Sequence, residues 1–493
     1  MDERRFRVSA TRRAKQVGCR KGCQTSAHLL RHWSLDKRAV QERRGRPVWA
    51  GTCQARGLTQ HPTDLTPLVT VRQRLYAALN QRQDSLFELV DAVLTAPGRS
   101  ALVRLSLCPV FRRRWPSTCD ALADGSLDVA ALRTLFLATL PRPADGRPLW
   151  VVDATMWPRP AAATSPARTF GQVSSKGTPS STTVAVWEEQ WLVAVPEPRA
   201  GGSWALPLDI ERRDPVAPTP TPLAIRQLRR ARATQVAQAP ATPRPVAALD
   251  SGSHPDEWAA AHLDADLVVR LAGQRVFERA LAPYAGPGRP RTHGPAFRLK
   301  DAATHGAPDH HATLAHPVYG TVTVDAWDAL RTPTHPDAPF TVVRHPHPLP
   351  LWLAWIGGPF PADPLDVWRW YLARFTVEHL FRFLKQTLGW TTVRLRAPEA
   401  ADRWTWLVAA AVWQLWLARP LVADCRLPWE RPLTPARLTP GRVRRAFSGL
   451  LPRLGSPARA PTPRGKSPGR RPGQHLEPAP RFAALHRSHP TAA

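Results

Sequence analysis

From Val71 the apolar residues of VRQRLYAALNQRQDSLFELVDAVLTA recur at spacings of three and four, the period of amphipathic helices. Leu102–Leu107 and the stretch RRRWPSTCDALADGSLDVAALRTLFLATL continue that pattern, with Arg112, Arg113 and Arg114 between the helices. The pattern predicts a small helical domain closed by the proline-rich PRPADGRP. The period then shortens. LWVVDA (149–154) predicts a buried strand ending in an aspartate. Thr182–Val195 predicts a second strand with a break around Glu188–Gln190, and Trp204–Ile210 a third. A basic helix over Ala224–Thr234 precedes a fourth strand, PVAALD, which again ends in an aspartate. A helix seeded at Ser253, with Glu257 in its first turn, leads to a fifth strand, DLVVRLA. Strands alternating with helices after an antiparallel meander indicate a mixed α/β sheet.

Residues 275–320 are rich in Gly, Pro and His, and Ala161–Ser181 reads as a Ser/Thr/Gly-rich loop. Thr321–Trp327, Phe340–Arg344 and Leu351–Ile356 predict three more strands, forming an insertion with its own β structure. WYLARFTVEHLFRFLKQTLGW (370–390) predicts one long helix. On it Tyr371, Arg374, Glu378 and Lys385 project within an arc of about 60°, with Arg382 beside them and an apolar back opposite. The plain alternative is a surface helix carrying i,i+4 ion pairs. A tryptophan-rich helix over 402–418 follows. Its apolar run from Trp404 to Leu417 is short for a bilayer span and contains Gln414, so it reads as a core helix.

Charge changes the picture. The 493-residue chain carries a formal net charge of +30. Residues 1–50 hold 14 Arg/Lys against 4 Asp/Glu, and 441–493 hold 11 against 1, so each end contributes +10. Basic arms on a globular body are the footprint of a nucleic-acid binder. A GC-rich coding bias explains arginine over lysine, but not the excess of base over acid. Residues 1–66 lack periodicity and predict a disordered arm or an upstream extension. The Pro/Arg/Gly sequence beyond about Gly455 predicts a low-complexity tail. Six cysteines show no metal pattern beyond Cys19/Cys23, and the chain opens on charged residues, so a soluble, intracellular, reduced protein is expected.

Asp153 and Asp250 each follow a buried-strand run, and acids at the carboxyl ends of α/β strands face the ligand crevice. Either alone reads as a turn former or helix cap. Two on neighbouring strands repel unless a cation intervenes, and hard oxygen ligands select Mg²⁺ or Mn²⁺. Glu378 offers a third carboxylate from a helix able to pack on the sheet, completing a two-metal site for phosphoryl transfer. Asp209, at the end of the third strand, is a possible neighbour. Glu399 and Asp402 are explained by a helix start. Gly286–Arg291 (GPGRPR) resembles the Gly-Arg-Pro core of minor-groove hooks, though a Pro/Gly loop explains it more simply. The cluster His293, His305, His310, His311 and His316 lacks ligand spacing and reads as loop residues.

With these residues in place, Tyr371-x2-Arg374-x3-Glu378-x6-Lys385 resembles the Y-R-E-K signature of bacterial cut-and-paste insertion-sequence transposases. The resemblance covers roughly residues 70–455. It implies an RNase H-like mixed sheet with a β-rich insertion, preceded by a small helical domain and flanked by basic disordered tails. The implied divisions are a basic arm (1–66), a helical DNA-binding domain (67–145), a catalytic domain in two parts (146–274 and 359–455), an insertion (275–358) and a tail (456–493). Asp153, Asp250 and Glu378 are implied as the catalytic, metal-binding triad, using Mg²⁺ or Mn²⁺. Tyr371, Arg374 and Lys385 are implied as contacts to the phosphates flanking the cut, and Arg382 adjoins them by helical geometry alone. The partners implied are double-stranded DNA, both terminal inverted repeats and target, and a second copy of the chain in a synaptic dimer. The place of action is the bacterial cytoplasm at the nucleoid, without a membrane. Trp327, Trp352 and Trp355 are candidates to hold a flipped base, with core packing as the simpler explanation. The family pattern also leads one to expect a second strand close behind Asp153, where this sequence shows the 161–181 loop. A DNA-binding protein that has lost catalysis is the alternative from another class. A further RNase H-like nuclease such as a resolvase shares the acids without the Tyr/Arg/Lys stripe.

Overall fold

In this computed structural model the described residues are 64–462, apart from 144–145, 163–164, 175–180, 199–201, 218, 251–254, 282–292, 333 and 347–349, together with 472–473 and 475. All belong to the unit Cys53–Ala493. The basic arm, the GPGRPR segment and most of the tail therefore lie outside the described residues.

The fold is mixed α/β and RNase H-like, built on a twelve-stranded sheet. Its strands are β1 (Leu149–Pro158), β2 (Thr169–Ser174), β3 (Ser181–Val195), β4 (Leu206–Arg212), β5 (Val246–Leu249), β6 (Asp266–Arg270), β7 (Val276–Glu278), β8 (Ala296–Arg298), β9 (His310–His316), β10 (Gly320–Thr332), β11 (His335–His345) and β12 (Leu351–Ile356). The order is β2-β3-β1-β5-β6-β12-β11-β10-β7-β8, with β4 on β3 and β9 on β10. At its centre β1, β5 and β6 are parallel. Such strands are covered on both faces, which is why VVD, VAAL and DLVV read as continuous apolar runs rather than alternations. The insertion strands continue this sheet through β12, which pairs antiparallel with β6.

Two expectations need correction. The 161–181 loop contains β2, paired antiparallel with β3 from Thr169↔Val186 to Ser174↔Ser181. Its Ser, Thr and Gly content hid an edge strand whose apolar signal is only Phe170 and Val173. Strand β3 runs unbroken through Glu188–Gln190, because Glu189 and Gln190 are themselves buried and satisfied.

The tryptophan-rich helix, Pro398–Ala418, is the hub of the helical layer. It is buried nearly all round, as a helix without a polar face must be. It packs against the helices Thr66–Ala77 and Gln83–Thr95 and against β4. Two of its indole N–H groups are satisfied by backbone carbonyls: Trp404 donates to Trp390 O and Trp413 to Pro207 O. The buried Arg72 guanidinium reaches Asp91 and Gln414 at 2.6 Å each, linking three helices. Arg112 and Arg113 turn inward to Glu88. Among the described residues no helix is long and apolar enough to cross a membrane.

Candidate active site

Register brings the first two acids together. Strands β1 and β5 pair in parallel with Val152 opposite Leu249, so the next residues on each, Asp153 and Asp250, are neighbours across the sheet. Strand β5 ends there, as expected. Strand β1 does not: it continues to Pro158 against β3, which leaves Asp153 in mid-strand rather than at a strand end. Strand β6 runs beside β5 with Val269 opposite Leu249, which sets Arg270 next to Asp250. Arg270 Nη1 lies 3.5 Å from Asp250 Oδ1.

The expected single helix over 370–390 is also corrected. It is two helices, Pro364–Ala373 and Thr376–Phe383, followed by a π-turn at Leu384–Leu388. The break is a tightening: Phe375 N donates to Leu372 O, Val377 N to Arg374 O and Glu378 N to Phe375 O, all three-residue bonds. The π-turn widens the coil in the other direction before Gly389, whose φ of 75° ends it in the left-handed conformation that glycine adopts freely.

This uneven helix distributes the stripe by depth. Tyr371 and Arg374 are buried, Lys385 is half-buried, and Glu378 and Arg382 are exposed. Arg374 Nη1 is 3.1 Å from Asp153 Oδ2 and Nη2 is 3.5 Å from Asp250 Oδ2. The Tyr371 hydroxyl is 3.4 Å from Asp250 Oδ1, and the Arg374 guanidinium lies over the Phe375 ring at 5.0 Å. Burial opposes the Arg374 charge, but Tyr371, Asp153, Asp250 and Glu378 around it hold its pKa above the ordinary value. Burial pushes the Asp153 carboxyl up to about 6; the Glu378 and Asp250 charges push the same way, against Arg374 and the Ala154 N–H. Lys385 Nζ donates to Thr155 Oγ1 at 2.6 Å. Burial lowers its pKa, opposed by Glu189, Glu378 and Asp153.

Sequence reading missed three of these groups. Thr155 follows Asp153 by two on a strand, so it shares its face; that spacing was a usable signal. Arg270 closes an apolar strand that register alone places at Asp250. Glu189 sits opposite Thr155 on β3, fully buried, and accepts from Trp191 Nε1 and Thr405 Oγ1. Nothing in its sequence context distinguishes it from a surface acid.

Other expectations fall elsewhere. Asp209 is not a neighbour of the site: Arg133 and Arg230 hold it on β4. Glu399 and Asp402 face Arg212. Trp327 and Trp352 pack with Phe297 and His305 in the insertion core, and Trp355 stacks on Trp370. His310 and His311 pair with Asp328 and Asp325.

Among the described residues, no three His, Cys, Asp or Glu side chains converge closely enough to hold a metal ion. The cation between Asp153 and Asp250 is Arg374, and Glu378 stands one turn beyond it. The donor chemistry nevertheless suits a hard divalent cation: adjacent carboxylates, with a mutual repulsion that a cation relieves.

The profile of the DDE superfamily endonuclease family matches residues 74–333, which include Asp153 and Asp250 but stop short of Glu378. No curated protein matches the chain. A match over more than half of the sequence, on an RNase H-like sheet that sets two aspartates side by side, places this chain in the DDE superfamily endonuclease family, whose members act on DNA with divalent metal ions.

Proposed function

We propose that the protein is a DNA transposase that moves an insertion sequence by cut-and-paste transfer. The observation that carries this reading is the convergence of Asp153 and Asp250 beneath Arg374, with Glu378 on the next turn and Lys385 anchored to Thr155. Asp153, Asp250 and Glu378 would hold Mg²⁺ or Mn²⁺, with Glu378 turning inward from the surface. Bound divalent ions would supply charge stabilisation for the attacking and leaving oxygens. The reaction is hydrolysis of a phosphodiester at the terminal inverted repeats. The water oxygen bonds to phosphorus, the P–O3′ bond breaks, and the 3′-oxygen leaves with a proton. That 3′-hydroxyl then attacks a target phosphodiester, whose own 3′-oxygen leaves.

In this reading Tyr371, Arg374, Lys385 and Arg382 orient the phosphates flanking the cut, which fixes position without reading sequence. Arg374 has a double use: it neutralises Asp153 and Asp250, and it offers a planar fork suited to a phosphate. The helical domain and the basic tails would add duplex contacts. Two chains would hold the two element ends together, at the nucleoid in the cytoplasm.

The test is cleavage of DNA carrying the inverted repeats that flank the gene, with Mg²⁺, comparing wild type with Glu378→Gln and following binding by gel shift. Wild type should cut and Glu378→Gln should bind without cutting. Equal cleavage by both, or none by either while binding persists, refutes the catalytic assignment; the latter outcome favours a transposase-derived DNA-binding protein.

A further inference from the structure

A second basic cluster lies at the far end of β1, outside the acid-lined site. Segment 393–396 alternates: Val393 and Leu395 are buried, while Arg394 and Arg396 are exposed. The loop after β1 holds this segment by bonds to its backbone. Arg159 Nη2 donates to Leu395 O and Ser165 Oγ to Arg396 O. Arg168 Nε in turn donates to Ser165 O at 2.7 Å. The Arg159 guanidinium lies 4.6 Å over the Trp187 ring, and its Nε is buried without a hydrogen-bond partner.

Like charges held this close raise each other's energy. Burial, and then Arg168 and Arg394, pull the Arg159 pKa below its ordinary value, and among the described residues no carboxylate counters them. The nearest acid along the chain, Glu399, is turned to Arg212 at 4.0 Å. Folding has thus used backbone carbonyls to fix cations together and left the outward charge of Arg394 and Arg396 unneutralised among the described residues. A polyanion resolves that, and a regular one best, because releasing its condensed counterions favours binding.

We infer that Arg394 and Arg396, fixed by Arg159 and Ser165, form a binding site for the phosphate backbone of duplex DNA, away from the reacting phosphodiester. Arg159 follows the last residue of β1 and lies six residues on from Asp153, ~20 Å at the rise of a strand. That is about six base pairs of duplex. The site therefore takes the same DNA that the acid-lined site is proposed to cut, and to that extent it rests on the proposed function. Its chemistry is backbone contact, so it carries no sequence preference.

The experiment measures binding of the full-length protein to a random-sequence duplex of about 40 base pairs across a salt series. The variants are Arg394→Ala/Arg396→Ala and, as a control, Arg431→Ala/Arg437→Ala, which removes two exposed arginines elsewhere. Circular dichroism confirms folding, which is expected since all four side chains are exposed. The patch variant should show a slope of log K against log salt shallower by about 2, one unit for each phosphate no longer neutralised. The control should keep the wild-type slope. An unchanged slope in the patch variant, an equal change in the control, or no binding of duplex by wild type overturns the inference. Failure of the cleavage reading is separable, because the slope is read from binding with EDTA present and takes the same value whether or not wild type cuts when metal is added.

Discussion

Replacing Arg374 tests the electrostatics of the acid pair directly. Its guanidinium is 2% exposed and bridges two carboxylates. Removing one partner of a buried ion pair costs about 3–5 kcal/mol, because the remaining charge keeps its burial and loses its counter-ion. Here the Asp250 arm is long, at 3.5 Å, and its side chain is 37% exposed, so water screens much of it. The Asp153 arm, at 3.1 Å and 19% exposed, dominates. The lower end of the range, about 3 kcal/mol, is therefore the expected loss for Arg374→Gln in urea unfolding with EDTA present. Without the guanidinium, Asp153 faces Asp250 with Arg270 beside Asp250 alone, and a divalent cation becomes worth more to the variant than to wild type. At a metal concentration 100 times Kd the gain is about 2.7 kcal/mol, which nearly restores the wild-type midpoint. The comparison needs four curves: both proteins, each with EDTA and with Mn²⁺. A loss below about 1 kcal/mol in EDTA would mean that the bridge does not hold the acids. A metal-induced gain no larger in Arg374→Gln than in wild type would mean that the guanidinium and the metal do not share a position.

Two further substitutions probe the groups that sequence reading missed. Thr155→Val removes the acceptor of the Lys385 ammonium without changing shape, and a hydrogen bond to a charged group is worth about 1.5–3 kcal/mol. Single-turnover cleavage should fall by about tenfold or more, with Thr155→Ser close to wild type; a Thr155→Val rate within twofold of wild type rules out the anchoring role. Glu189 is pushed up to about 8 by complete burial, with Asp402 adding to it. A folded pKa above the unfolded 4.5 means that the folded state holds the proton more tightly. Its contribution is complete below the unfolded pKa and is lost as pH rises through the folded one, at up to about 1.4 kcal/mol per pH unit. Wild-type stability should therefore decline between pH 5 and 8 more steeply than that of Glu189→Gln, and parallel curves refute the assignment.

Some of this was legible in one dimension and some was not. The strands LWVVD, VAALD and DLVVR announced themselves because parallel central strands are apolar on both faces, so no partner is needed to recognise them. The Tyr371, Arg374, Glu378 and Lys385 stripe was visible for a similar reason, since local helical geometry fixes its spacing. Strand β2 was not legible, because an edge strand of Thr, Gly, Gln and Ser owes its existence to β3 beside it. Nor was the division of the 370–390 helix, where three-residue bonds at Arg374–Glu378 and the π-turn after Phe383 answer to packing rather than to period. The acids Asp153, Glu189, Asp209, Asp250 and Glu378 show the difference most plainly. Two were placed by strand pattern and one by its neighbours on a helix, yet Asp209 was misjudged and Glu189 overlooked, because only register decides which cation or hydroxyl faces a carboxylate.

The sequence by itself determined a basic chain with a run of helices before a central α/β sheet and a narrow stripe of one acid among cations. These follow from composition and from periods of 3.6 and 2, which are properties of neighbours along the chain. Tertiary structure alone decided that Asp153 and Asp250 stand side by side, that Arg374 lies between them, that Lys385 leans on Thr155, and that Arg394 and Arg396 are drawn up beside Arg159. Each of those joins residues far apart in the chain, and strand register and helix depth fix such distances only once the sheet has formed.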